Sequence, residues 1–274
     1  MRIDAHHHVW DLDRNPQPWI REDLLNRTFA VEEYQAQMRR GGFDGSVLIQ
    51  NLCDEAETVD MLALASANPW IVGVVGWIDL SADVDAAIAR LRSCDGGDRL
   101  VAVRHQVQFE EDSDWLDRPA IRRGLERVGA HGLAFDAVIR PDQRASAVRA
   151  AREISGLNWI LDHLGNPHGG RPDDGWEHAI VTLGGLPNVA AKVSGLGNLA
   201  GQGWTARSLR GVVRHALAAF GPDRLLFGSD WPVCLLSGDF TLAVTAAEEW
   251  FDDLPARAQA EIFGGSASRW YGLL

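Results

Sequence analysis

The sequence has almost no lysine. Of its 26 basic residues, 25 are arginine and one, Lys192, is lysine. Basic charge is also short overall, at 26 basic against 38 acidic side chains and a formal net charge of −12. No basic surface is available to attract nucleic acid or an anionic membrane, so neither is expected as a partner. Cysteine is scarce: Cys53, Cys94 and Cys234 are odd in number, far apart and form no CxxC pair. That excludes a disulfide framework and a zinc–thiolate site, and fits a reducing cytoplasm. Long apolar runs are missing, so nothing reaches the roughly 18–20 residues needed to span a bilayer. The first residues, MRIDAHHHVW, carry acid and histidine where a signal peptide has an apolar stretch. A G-x-G-x-x-G turn is lacking after the first apolar run, which counts against a dinucleotide-binding open sheet.

What is present is a rhythm. Short runs rich in Val, Ile and Leu predict strands at 2–8, 45–50, 71–78, 100–107, 132–139, 158–163, 188–194 and 224–229. Between them, Ala/Arg/Glu-rich stretches predict helices at 31–40, 54–66, 82–93, 119–129, 142–154, 176–184, 206–219 and 240–252, with a further segment at 255–263. Asp54 and Thr205 stand where N-caps belong. Eight such units in 274 residues leave about 34 residues each, which suits a (β/α)8 barrel of about 250 residues. No Pro/Gly/Ser tract splits the chain, so residues 1–274 read as one domain; Gly195–Gly203 reads as a flexible loop after the seventh strand.

In such a barrel the site forms at the carboxyl ends of the strands. Those ends carry His6, His7 and His8, then Gln50 and Asn51, Trp77 and Asp79, Arg104 through Gln108, Asp136, Asp162 and His163, Lys192 and Ser194, and Asp230. Polar strand ends are ordinary, but this density of His, Asp, Arg and Lys is not. His6 and His8, two apart on a strand, share a face and suit a divalent metal or a carbonyl oxygen. A hydrogen-bonded structural pair is the equal alternative for His6 and His8 taken alone. His163 adds a third imidazole and Asp230 a carboxylate able to take a proton from water. Together they predict a hydrolytic centre. His131, His168, His178 and His215 have no partner pattern and read as solvated. Trp10, Trp19, Trp77 and Trp231 lie near strand ends, where stacking on a substrate and packing under loops compete. Asp162 reads as an orienting neighbour or a turn cap.

The stretches RIDAHHHVW, VRHQVQ, LDHLGNP, KVSGL, FGPDRLLFGSDWPVC and IFGGSA span nearly the whole chain. On these the sequence resembles the sugar-lactone hydrolases of the amidohydrolase superfamily, the branch of L-fuconolactonases and L-rhamnonolactonases. The resemblance implies a cytoplasmic enzyme of carbohydrate catabolism that hydrolyses a small lactone. His6, His8, His163 and Asp230 surround the reacting carbonyl and form the metal ligands, with Asp230 the general base. Arg104 and Lys192 are expected to neutralise the oxyanion, Gln50, His105 and Ser194 to meet ring hydroxyls, and Trp77 and Trp231 to line the substrate. Arg104 stands where dinuclear relatives keep a metal-bridging group, and strand five offers Asp136 in place of a histidine. Both departures imply at most one divalent ion, with zinc the best match and metal-free operation left open. A homodimer is the expected assembly. The alternatives are a decarboxylase or amide hydrolase on the same barrel, or a non-catalytic sugar-binding paralogue.

Overall fold

In the computed structural model, which describes residues 1–273, all eight predicted strands form. They are β1 (Ile3–His7), β2 (Gly45–Ile49), β3 (Ile71–Gly76), β4 (Leu100–His105), β5 (Ala134–Ala137), β6 (Trp159–Leu161), β7 (Val189–Val193) and β8 (Leu225–Phe227). They run parallel in the order β1 to β8. Helices α1 (Val31–Arg40), α2 (Glu55–Ala67), α3 (Val84–Arg92), α4 (Pro119–Ala130), α5 (Arg144–Glu153) and α6 (Asp174–Gly184) follow the first six strands. α7 (Leu196–Ala200) and α8 (Ala206–Phe220) follow β7; α9 (Phe240–Phe251), α10 (Ala256–Ala260) and α11 (Ser266–Tyr271) end the chain. Asp54 caps α2 through Ala56 N–H, and Thr205 caps α8 through Ser208 N–H. The architecture is a (β/α)8 barrel. No helix among the described residues is long and apolar enough to cross a membrane, and all three cysteines are free.

The two-residue alternation of a strand decides what fills the barrel. Ala102, Ala134, Ile160, Ala190 and Leu226 point inward and pack with Ile3, Ala5, Val47, Ile49 and Val75. Two residues further along four of these strands stand Arg104, Asp136, Asp162 and Lys192, all at most 4% exposed. An ionic layer therefore lies directly above an apolar one.

The seam between β1 and β8 is tied by few bonds, and they hold the site. Asp230 N–H donates to His6 O at 2.8 Å and His8 N–H to Trp231 O at 2.7 Å. Ser229 N–H donates to the Asp4 carboxylate at 2.9 Å. That carboxylate also takes the His6 N–H and the Tyr34 hydroxyl. Burial raises the Asp4 carboxyl to about 6 against these hydrogen bonds. Sequence reading gave Asp4 no role; it is the strut that aligns the two ends of the chain. Gly228 is required here, because a Cβ would lie 2.5 Å from that of His6.

Two expectations need correction. Gly195–Gly203 is not merely a loop, since it contains α7. And α11, absent from the predicted elements, buries Trp270 and Tyr271 against the inner barrel core.

Candidate active site

β1 carries one extra residue against β2, since Asp4 pairs with Ser46 and His7 with Leu48. Such a bulge resets the alternation. His6 and His8 are thereby aimed at the seam, while His7 stacks on Tyr34 with ring centroids 3.7 Å apart. The His6 and His8 Nε2 atoms are 3.1 Å apart, and Asp230 Oδ1 lies 3.5 and 3.6 Å from them. The His163 ring centroid is 4.8 Å from that of His6, and its Nδ1 meets Ser194 Oγ at 2.9 Å.

The backbone is strained at this point. Four non-glycine residues among those described have positive φ: His163 (52°), Leu164 (50°), Asn166 (54°) and Asp230 (57°). Such conformations persist only where the surroundings impose them, and they concentrate at functional sites. Gly195 lies between the two side chains concerned, since a Cβ there would come within 2.6 Å of His163 Nδ1 and 2.9 Å of Asp230 Oδ2. α7 contributes Asn198, whose Nδ2 donates to Asp230 Oδ2 at 3.3 Å. Ser237 holds Asn198 in turn through a 2.7 Å hydrogen bond to its Oδ1. Sequence reading missed Asn198 because it treated this stretch as flexible.

Burial and neighbouring charges set the protonation of His6, His8 and Asp230. Burial lowers His6 well below the usual imidazole range, and Lys192 lowers it further. Burial also lowers His8. Burial alone would raise Asp230, but His163, His8 and His6 outweigh it and bring the carboxyl to about 2. At neutral pH the Asp230 carboxylate is ionised beside the neutral imidazoles of His6 and His8.

These groups fit a single divalent ion. A tetrahedral zinc ion with bonds of about 2.0–2.1 Å places its ligand atoms about 3.3 Å apart, close to the 3.1–3.6 Å spacing of His6, His8 and Asp230. His8 Nδ1–H donates to Ile49 O at 2.9 Å, which leaves its Nε2 as a lone pair. Behind His6, Asp162 Oδ1 lies 3.4 Å from His6 Nδ1 and 3.0 Å from the Lys192 ammonium. A ligating His6 would carry its proton on Nδ1 and donate it to that oxygen, the arrangement common behind metal-bound histidines. Equilibrium dialysis should therefore find one zinc ion per chain. Asp162→Asn should weaken it about 10- to 100-fold, and His6→Ala should abolish it. Two ions, or none, would show the ligand set to be wrong.

Several predicted contacts lie elsewhere. An open cavity of about 110 Å³ is bordered by His8, Arg104, His163 and Asp230, and by Asn51, Gln106 and Gln108. Trp19, Phe109, Val138 and Val233 complete it. Trp77 and His105 do not border it: alternation turns Arg104 inward and His105 outward. The His105 ring stacks on Trp115 and is bonded by Trp77 Nε1–H at 3.0 Å and Glu110 at 2.7 Å. Trp231 is 3% exposed and packs edge-on against Phe29. Gln50 is buried, with Oε1 accepting from Arg104 Nε at 3.1 Å and Nη2 at 2.9 Å. It holds Arg104 and is not among the residues lining the cavity. Ser194 positions His163. Lys192 is wholly buried under His6, 3.2 Å from its Nδ1 and 3.0 Å from Asp162, so it cannot touch an oxyanion. His215, read as solvated, is half-buried with an unpartnered Nε2. A larger hollow of about 280 Å³ behind β1, lined by Trp10, Phe29 and Met61, opens on none of the site histidines.

A parallel eight-stranded barrel with His-x-His on the first strand and an aspartate after the last defines a class. The chain belongs to the amidohydrolase family, whose model matches residues 3–273. Among its relatives is an L-fucono-1,5-lactonase of Burkholderia ambifaria, 33% identical, with the match covering 98% of this chain and 95% of that enzyme. A second L-fucono-1,5-lactonase, from Burkholderia multivorans, is 33% identical over 100% of this chain and 96% of its own. A crystal structure of a Burkholderia multivorans amidohydrolase with bound zinc superposes with a TM-score of 0.94 at 31% identity, covering both chains completely.

Proposed function

We propose that this protein hydrolyses the 1,5-lactone of a sugar acid to the open hydroxy acid, as a soluble enzyme of carbohydrate breakdown. The observation that carries the reading is the Asp230 carboxylate, ionised and set within 3.6 Å of two neutral imidazoles at the mouth of the barrel. The two curated relatives, both named L-fucono-1,5-lactonase, support the substrate class.

Asp230 takes a proton from the attacking water as the water oxygen bonds to the lactone carbonyl carbon. The carbonyl π pair moves to oxygen, and the charge forms beside Arg104. That guanidinium is pinned in place by Gln50 and Asp162, at 3.0 Å from the latter, so its stabilisation needs no rearrangement. When the tetrahedral centre collapses, the ring C–O bond breaks and Asp230 returns the proton to the departing oxygen. A divalent ion on His6, His8 and Asp230, with zinc the best match, would polarise the carbonyl and acidify the water. Water entry is restricted to the cavity mouth, because Asp162, Lys192 and His6 below it are closed to solvent.

A panel of sugar 1,5-lactones mixed with the purified protein and a pH indicator tests the reading. Acid release from at least one lactone, well above its spontaneous rate, is expected. A flat trace from every member of the panel, with and without added zinc, would refute it. Decarboxylation on the same barrel predicts no acid release from any lactone and loss of carbon dioxide from a carboxylic acid instead.

A further inference from the structure

The G-L-G-N stretch at 195–198 is built against the Asp230 carboxylate. Gly195 leaves the space beside Asp230 Oδ2 open, and Gly197 lets α7 approach the turn that follows β8. A Cβ on Gly197 would lie 2.8 Å from Ser237 Oγ and 2.5 Å from the Trp204 ring. The Trp204 indole N–H donates to Ser237 O at 2.9 Å. A five-residue helix is too short to persist on its own, so α7 depends on these contacts for its place.

The contacts close a ring of hydrogen bonds on Asp230. Cys234 N–H donates to Asp230 O at 2.8 Å, and Ser237 N–H to Cys234 O at 3.2 Å. Ser237 Oγ–H donates to Asn198 Oδ1 at 2.7 Å, and Asn198 Nδ2 donates to Asp230 Oδ2 at 3.3 Å. The circuit leaves the backbone of Asp230 and returns to its side chain. An ionised carboxylate only accepts, so Nδ2 must face it, and Oδ1 is left for the Ser237 hydroxyl. The two oxygens of Asp230 consequently have different neighbours. Oδ1 faces the Nε2 atoms of His6 and His8 at 3.5 and 3.6 Å, while Oδ2 faces Asn198. The terminal torsion of an aspartate is broad, and a donor fixed in α7 narrows it. Asn198 is not among the residues lining the 110 Å³ cavity.

Resting on the lactonase reading, we propose that Asn198 is a positioning residue for the hydrolysis. It holds the Asp230 carboxylate at the angle from which it takes the proton of water, and Ser237 acts through it. Proton transfer requires the base to lie within hydrogen-bond reach in the right direction, so a carboxylate free to swing spends less time in the reactive geometry.

The test is a set of double-mutant cycles read in kcat, on the best lactone of the panel and in excess zinc. Asn198→Ala should lower kcat about 5- to 50-fold with KM within about twofold of wild type. Ser237→Ala should lower kcat by less, and adding it to Asn198→Ala should change kcat by less than about twofold further. In an Asp230→Asn background, Asn198→Ala should likewise cost less than about twofold, because the group it aims is gone. Asn198→Asp has the same shape but sets an acceptor against Oδ2, so it should be at least as slow as Asn198→Ala. Thermal unfolding checks that each variant is folded. A merely space-filling role predicts that Asn198→Asp restores kcat, and that result overturns the proposal. So does a loss that multiplies in full with that of Asp230→Asn. In either case a wild type that releases acid leaves the lactonase reading standing. A wild type that releases none overturns both.

Discussion

Replacing Asp230 by asparagine is expected to lower kcat for lactone hydrolysis by about 10²- to 10⁴-fold while the barrel stays folded. The substitution keeps the shape of the side chain and removes its charge, and with it the ability to take a proton. Asparagine also tolerates the left-handed backbone at this position, φ 57°, better than most residues do. The hydrogen bond from Asn198 Nδ2 survives if the amide oxygen faces α7. Lost is the charge that His163, His8 and His6 stabilise down to a carboxyl of about 2. Such a carboxylate is a weak base, so it can act only on a water already made acidic or as that water attacks. The same variant should weaken zinc binding, because an amide oxygen is a poorer ligand than a carboxylate. A kcat within about threefold of wild type would remove Asp230 from the chemistry and leave the histidines without a base.

Much of this was legible in the chain. Eight apolar runs gave eight strands, because a strand buried on both faces has little freedom in composition. His6, His8, His163 and Asp230 could be brought together in thought because strand ends converge in a barrel. What could not be read was parity. Whether Arg104 or His105 turns inward depends on register, and whether His7 or the pair His6 and His8 faces the site depends on one extra residue in β1. A one-residue shift exchanges the two faces. His105 and Trp77 were assigned to substrate for want of that information. Trp231 and Gln50 failed for a different reason: each is at a strand end, yet neighbouring elements, Phe29 for one and Arg104 for the other, had already taken its contact surface. The cavity wall, from Trp19 on the β1 loop to Phe109 and Val138, lies in connecting segments with no periodicity to betray it.

The one lysine carries the second large effect. Lys192→Met should destabilise the protein by about 3–5 kcal/mol, the usual result of removing one partner from a buried ion pair. Lys192 and Arg104 balance Asp136 and Asp162 in a layer sealed from solvent. Burial raises Asp136 only to about 6, Lys192 and Tyr271 opposing it, so at neutral pH Asp136 is mainly ionised and needs its partner. Asp162 is held well below the carboxylate range, burial being outweighed by Lys192, His6 and Arg104. Without the ammonium, two carboxylates would share a site with a single cation. Lys192→Arg keeps the charge but not the fit. The ammonium sits between Asp136, Asp162 at 3.0 Å and His6 Nδ1 at 3.2 Å, with the Tyr271 ring 5.6 Å away. A guanidinium fork is broader than this space, and overpacking should cost about 1–3 kcal/mol while pushing His6 out of line. Urea unfolding measures the first effect and kcat the second, with KM little changed because Lys192 does not touch substrate. A Lys192→Arg protein matching wild type in both midpoint and kcat would mean that arginine, which this chain uses everywhere else, could have served here too. The layer would then need the positive charge at this position and not the fit of an ammonium.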